Sequence, residues 1–155
     1  MNLREREERV KIMLLQFKFR NFMSFADETI LDMMATNIKE HNNTLLEKND
    51  YKILPVAAIF GANASGKSNL FHAFRAMEID VTKGIEKENK HYWIRPYIFD
   101  EKLANEPSEF EVSINVNDME YRYGFSRNQE KVFEEWLFEK KFTKTSKIQE
   151  KCVFY

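Results

Sequence analysis

Cysteine, glycine, proline and net charge are all scarce in this chain. Its one cysteine, Cys152, has no internal partner for a disulfide, which fits a reducing compartment. Four glycines and three prolines exclude collagen-like, elastic and linker-dominated chains. Twenty-four Lys and Arg against 25 Asp and Glu give a net charge of −1, so only a local basic patch would be available to nucleic acid. No apolar run approaches the ~18 residues of a membrane span. The mixed-charge start, Met1 to Arg9, lacks the apolar core of a secretion signal. The three histidines, His41, His72 and His91, are scattered and offer no zinc spacing, and no nucleophilic triad can be assembled. The expectation is a soluble, cytoplasmic chain with no membrane partner.

What is present supports one packed domain. Hydrophobic residues make up 43% and aromatics 14% of 155 residues, enough for a core in about one domain's length. Residues 1–12 read as a polar leader, and the domain is expected over 13–155. Leu15, Phe17 and Phe19 alternate with Gln16, Lys18 and Arg20, the period of a half-buried strand. A bend follows at 21–27, then a return strand over 29–33, then a polar surface connection over 36–50 anchored by Leu45 and Leu46. Ile53 to Phe60 is a continuous apolar run, as in a central parallel strand buried on both faces; Pro55 moves its expected start to Val56. Leu70, Phe74 and Met77, widened by Phe71, predict an amphipathic helix over 67–80 that Thr82-Lys83-Gly84 ends. Phe110 to Val116 and Met119 to Phe125 alternate around Asn117-Asp118 as a β-hairpin, with further strands expected at 132–142 and 94–99.

Gly61-Ala62-Asn63-Ala64-Ser65-Gly66-Lys67-Ser68 satisfies G-x-x-x-x-G-K-[ST], with an apolar run before it and a helix after it. Glycines at those positions let successive N–H groups point into one concavity, and the helix N-terminus adds its positive dipole end. In such a loop Lys67 reaches the β- and γ-phosphates and the Ser68 hydroxyl ligates Mg²⁺. Tyr97-Ile98-Phe99-Asp100-Glu101 has the outline of a Walker B strand end. Its apolar run is only three residues after Pro96, however, and Lys102 follows, so it reads better as a strand end with solvated acids. Lys140, Lys141, Lys144, Lys147 and Lys151 read as a solvated face, with phosphate contact as the alternative.

Leu15 to Phe25, with its Asn21-Phe22-Met23-Ser24-Phe25 bend, resembles the opening of the SMC/RecF-like ABC ATPase group. Ala58 to Leu70 is similar to that group's Walker A region, and residues 95–100, 107–111 and 121–125 resemble the β-rich part of its bacterial AAA-type ATP-binding members. The resemblance implies an α/β P-loop NTPase fold, the N-terminal lobe of an ABC-type head with an antiparallel β meander. It implies ATP and Mg²⁺ as cofactors, held by Asn21, Ser24, Gly61, Ala62, Asn63, Ala64, Ser65, Gly66, Lys67, Ser68 and Asn69. A second protomer or a complementing C-terminal lobe would close over the nucleotide, in DNA maintenance or in phage defence beside an effector nuclease, with DNA as an allowed partner.

The group's L-S-G-G-Q-like signature is absent from the sequence, and no D-loop, switch histidine or Q-loop glutamine is assigned. The chain is therefore expected to be a partial domain lacking the C-terminal lobe, and hydrolysis by these residues alone is not expected. Two other readings stay open: a small self-contained P-loop kinase or NTPase using Asp100 and Glu101, and a non-catalytic lobe that binds a full-length ATPase.

Overall fold

The computed structural model describes residues 12–36, 40, 42–48, 51–84, 94–117, 119–141 and 150–155. Its elements in chain order are β1 (Ile12–Arg20), β2 (Thr29–Asp32), a 3-10 turn at Asn42–Thr44, β3 (Leu46–Lys48), β4 (Tyr51–Ile53), α1 (Lys67–Lys83), α2 (Glu101–Asn105), β5 (Ser108–Val116), β6 (Met119–Arg127), β7 (Val132–Lys141) and β8 (Glu150–Phe154). Six strands form one antiparallel sheet in the order β2-β1-β5-β6-β7-β8. The period-2 pattern sets its register. Phe19 lies opposite Phe110, which lies opposite Phe125, so three aromatic residues share one face. The opposite face carries the polar partners, with Lys18 against Glu111 and Arg20 against Glu109. Asn117, with φ 48, turns the β5–β6 hairpin in the left-handed region that asparagine tolerates.

Helix α1 lies on the aromatic face. Ala73, Ala76 and Met77 join Phe17, Phe19, Phe22, Ile94, Phe110 and Phe125 in one buried cluster. The aromatic rings supply the bulk and the alanines let the helix approach, so the two surfaces interlock without large residues on both. This differs from the expected stripe. Met77 is buried, but Phe74 keeps 38% of its surface and Phe71 64%. Phe74 still meets Phe17 edge-on, with ring centroids 4.9 Å apart. The buried arc is rotated toward the alanines, and a second apolar strip, Phe71, Phe74 and Val81, faces outward. The helix runs to Lys83, and the N–H of its C-cap Gly84 bonds Asp80 O.

On the polar face, Glu111 accepts from Trp136 Nε1 and Arg122 Nη1, both at 2.9 Å, and pairs with Lys18 at 3.2 Å. Burial alone would raise the Glu111 pKa, but these three donors outweigh it and hold the carboxyl below its ordinary value. Gly124 makes room for the indole: a Cβ there would lie 2.5 Å from Trp136 ring carbons.

Three other expectations are corrected. Residues 56–60 are not a strand; Val56 is 73% and Phe60 89% exposed. Apolar composition does not make a strand without a neighbouring backbone to pair with, and no described strand runs beside this segment. The pairing that does form is earlier and antiparallel: β3, inside the stretch expected to be a surface connection, pairs with β4 just after that stretch. Ile94 to Phe99 is also not a strand; its backbone instead serves the bend at Asn21. The polar leader up to residue 11, His41, His91, Lys144 and Lys147 lie outside the described residues. Among the described residues, no helix is long and apolar enough to cross a membrane.

Candidate functional site

The site is built from the end of β1 and the start of α1. After Arg20 the chain turns sharply: Asn21 has φ 54 and Met23 φ 52, and Phe22 and Phe25 bridge across the bend. Positive φ is unfavourable for a residue as bulky as methionine, so neighbours must hold it. Met23 N–H donates to Arg95 O at 2.6 Å. The fully buried Asn21 donates from Nδ2 to Leu103 O, Glu106 O and Pro107 O at 2.8–3.2 Å, and its Oδ1 accepts from Tyr97 N–H at 2.9 Å. Ser108 Oγ closes the network by donating to Asn21 O.

The bend presents Ser24 and Phe25 to the glycine loop. Asn69 Nδ2 donates to Ser24 Oγ at 2.8 Å. Gly66 sits at φ 91, and a Cβ there would meet Ser24 Oγ at 3.0 Å and the Phe25 ring at 3.1 Å. This position therefore needs glycine twice over, for its backbone and for its neighbours. Ala64 is also left-handed, at φ 64. Ser65 N–H turns back to Ala62 O at 3.3 Å.

Helix α1 begins at Lys67 with no side-chain cap and no acid in its first turn. That leaves the positive end of a 17-residue helix without a negative side chain of its own. Lys67 Nζ lies over the loop, donating to Gly61 O at 2.8 Å and Ala62 O at 2.6 Å, with Ser65 Oγ at 3.5 Å. Asn63 and Ser68 are exposed beside it.

The structure thus brings together Ser24, Gly61 to Ser68 and Asn69 around one helix terminus. It does not bring Asn21 to the loop as a ligand-binding group. That side chain's amide and carbonyl are both taken up inside the protein, so its part is to hold the bend. Asp100, the acid of the Walker B outline, is the N-cap of α2 and accepts from Lys102 N–H and Leu103 N–H at 2.9 and 3.0 Å. A three-residue apolar run cannot distinguish a catalytic strand end from a helix cap. His72 is an exposed residue of α1. Sequence reading missed the buried pair Arg127–Asp80, because a single Asp in a helix carries no signal of burial. Burial raises the Asp80 pKa against the pull of Arg127.

A helix N-terminus with no acid of its own and an ammonium beside it suit an anion. The donor set fits the phosphates of a nucleotide, and Ser68 offers a hydroxyl to a hard cation bound mainly through those phosphates. Among the described residues no group of three His, Cys, Asp or Glu side chains is placed to hold a metal by itself.

Residues 56–150 match the family described as "AAA domain, putative AbiEii toxin, Type IV TA system". The match covers more than half of the chain, and the chain belongs to this AAA domain family. A nucleotide-binding, ATPase-like domain is the class that membership defines. No curated protein matches the chain.

Proposed function

We propose that the Gly61–Ser68 loop is a Walker A phosphate loop and that this chain is the Mg²⁺–ATP-binding lobe of an SMC/RecF-like ATPase, an ATP-gated dimer clamp. The observation that carries the reading is the uncapped N-terminus of α1, opening directly from a left-handed Gly66 with Lys67 lying over the loop carbonyls. In this reading the loop N–H groups and the first turn of α1 bind the phosphates. Lys67 turns from the loop carbonyls toward the β- and γ-phosphates, and Ser68 holds the metal. Mg²⁺ held there through the Ser68 hydroxyl would neutralise phosphate charge.

Closure over the nucleotide is assigned to a second copy or to a complementing C-terminal lobe. The exposed apolar residues of segment 56–60, with the outward Phe71 of α1, are surface available to such a partner and support this reading. DNA maintenance or phage defence, the latter with an effector nuclease, is the proposed setting, with DNA as a further partner. Turnover by this chain alone is not part of the proposal, since Asp100 is committed to capping α2.

The chain should bind ATP more tightly when Mg²⁺ is present, and Ser68→Ala should remove most of that gain while retaining metal-free binding. Calorimetric titration with and without Mg²⁺ measures both. The absence of ATP binding, or an unchanged Mg²⁺ effect in Ser68→Ala, would overturn the assignment.

A further inference from the structure

We propose that Ser24 and Asn69 are a positioning pair that sets the phosphate-facing loop from the β-sheet side, an inference that rests on the phosphate-loop reading above. The two residues are 45 positions apart and joined by one hydrogen bond of 2.8 Å. Asn69 lies in the first turn of α1, where its side chain is not needed by the helix. Ser24 lies on a bend whose shape is fixed from elsewhere. Buried Asn21 ties it to the end of α2 and to Tyr97, Ser108 ties it to the start of β5, and Arg95 O holds the left-handed Met23.

The bend meets the loop at Ser24 Oγ and the Phe25 ring, the two groups that crowd Gly66. Phe25 is itself braced edge-on against Phe19, with centroids 5.0 Å apart. A rigid frame therefore reaches the loop at its most constrained residue, and Asn69 clips the first helical turn to that frame. Loss of either partner leaves the fold intact, because the bond is solvent-exposed and the bend keeps its buried anchors. The N–H groups of the loop and first turn then sample wider orientations, and the phosphates must order them on binding.

The test is a double-mutant cycle in Mg²⁺–ATP affinity with Ser24→Ala, Asn69→Ala and the double variant, each paired with a melting temperature, and with Lys67→Ala as a separate arm. Each single substitution should weaken binding by about 2- to 10-fold, the worth of one hydrogen bond. The double variant should be no weaker than the weaker single, and all three should melt within about 2 °C of the wild type. Wild-type affinity in the singles, losses that multiply in the double variant, or losses that follow a lowered melting temperature would each overturn the pair. If Lys67→Ala binds ATP as the wild type does, the phosphate-loop reading itself has failed. If Lys67→Ala loses binding while the cycle shows no coupling, the pair alone has failed.

Discussion

Asn21 and Glu111 show how far a residue's type is from its role. Both are polar residues in or beside β1 and β5. Asn21 resembled a nucleotide contact because of its place in the Asn-Phe-Met-Ser-Phe bend, yet it is fully buried and bonded to backbone groups from three segments. Nothing in one sequence tells a surface asparagine from a buried one, because the partners are carbonyls that every residue has. Glu111 alternates as a solvent-facing strand residue should, but Arg122 from the adjacent β6 and Trp136 from β7 beyond it enclose it. Its folded-state pKa lies below the ordinary 4.5, so its charge stabilises the fold above that value, and the contribution is lost as pH falls through the folded-state pKa. Glu111→Gln should cost about 1–3 kcal/mol near neutral pH. Denaturant unfolding should show that gap narrowing as pH falls from neutral to values below the ordinary 4.5. A gap that stays constant across this range would contradict the ionic role.

At the scale of elements, legibility followed the pattern that each element depends on. The β5–β6–β7 meander was readable because strict alternation specifies both strand and register, and the structure has it with β8 added at the edge. Helix α1 is legible as a helix, but its inward arc is not: size alone points Phe71 and Phe74 inward, whereas the aromatic sheet leaves room for alanines. The five-residue α2 was not readable, since one cap residue and one turn give too short a pattern. Segment 56–60 departs from the expected strand because an apolar run specifies a strand only where a neighbouring backbone pairs with it. Its exposure carries a consequence for stability. Phe60→Ser removes a side chain that is 89% exposed, so it should change unfolding free energy by no more than about 0.5 kcal/mol. A loss of about 3 kcal/mol or more, as for a buried phenylalanine, would show that the segment is packed as a central strand after all.

At the scale of the whole molecule, an antiparallel sheet meets a glycine loop at the bend of residues 21–25. The sheet and α1 share one aromatic core, and the bend carries that rigidity to Gly66. Among the described residues, segment 56–60 and the outward Phe71 and Val81 of α1 are apolar residues left outside this core. This arrangement carries the rigidity of the core to the loop on which the proposed nucleotide site is built. The motif around the loop was legible because every fixed position is present in sequence; the bracing behind it was not, because it depends on which carbonyls fold beside Asn21 and which hydroxyl folds beside Asn69. The central claim is that the loop binds the phosphates of ATP through Lys67. Titrating Mg²⁺–ATP into the wild type and Lys67→Ala tests it most directly: the account predicts saturable binding by the wild type and at least about a 10-fold loss in the variant, in keeping with removal of a charged hydrogen-bond donor. Equal affinities, or no binding by either protein, would contradict it.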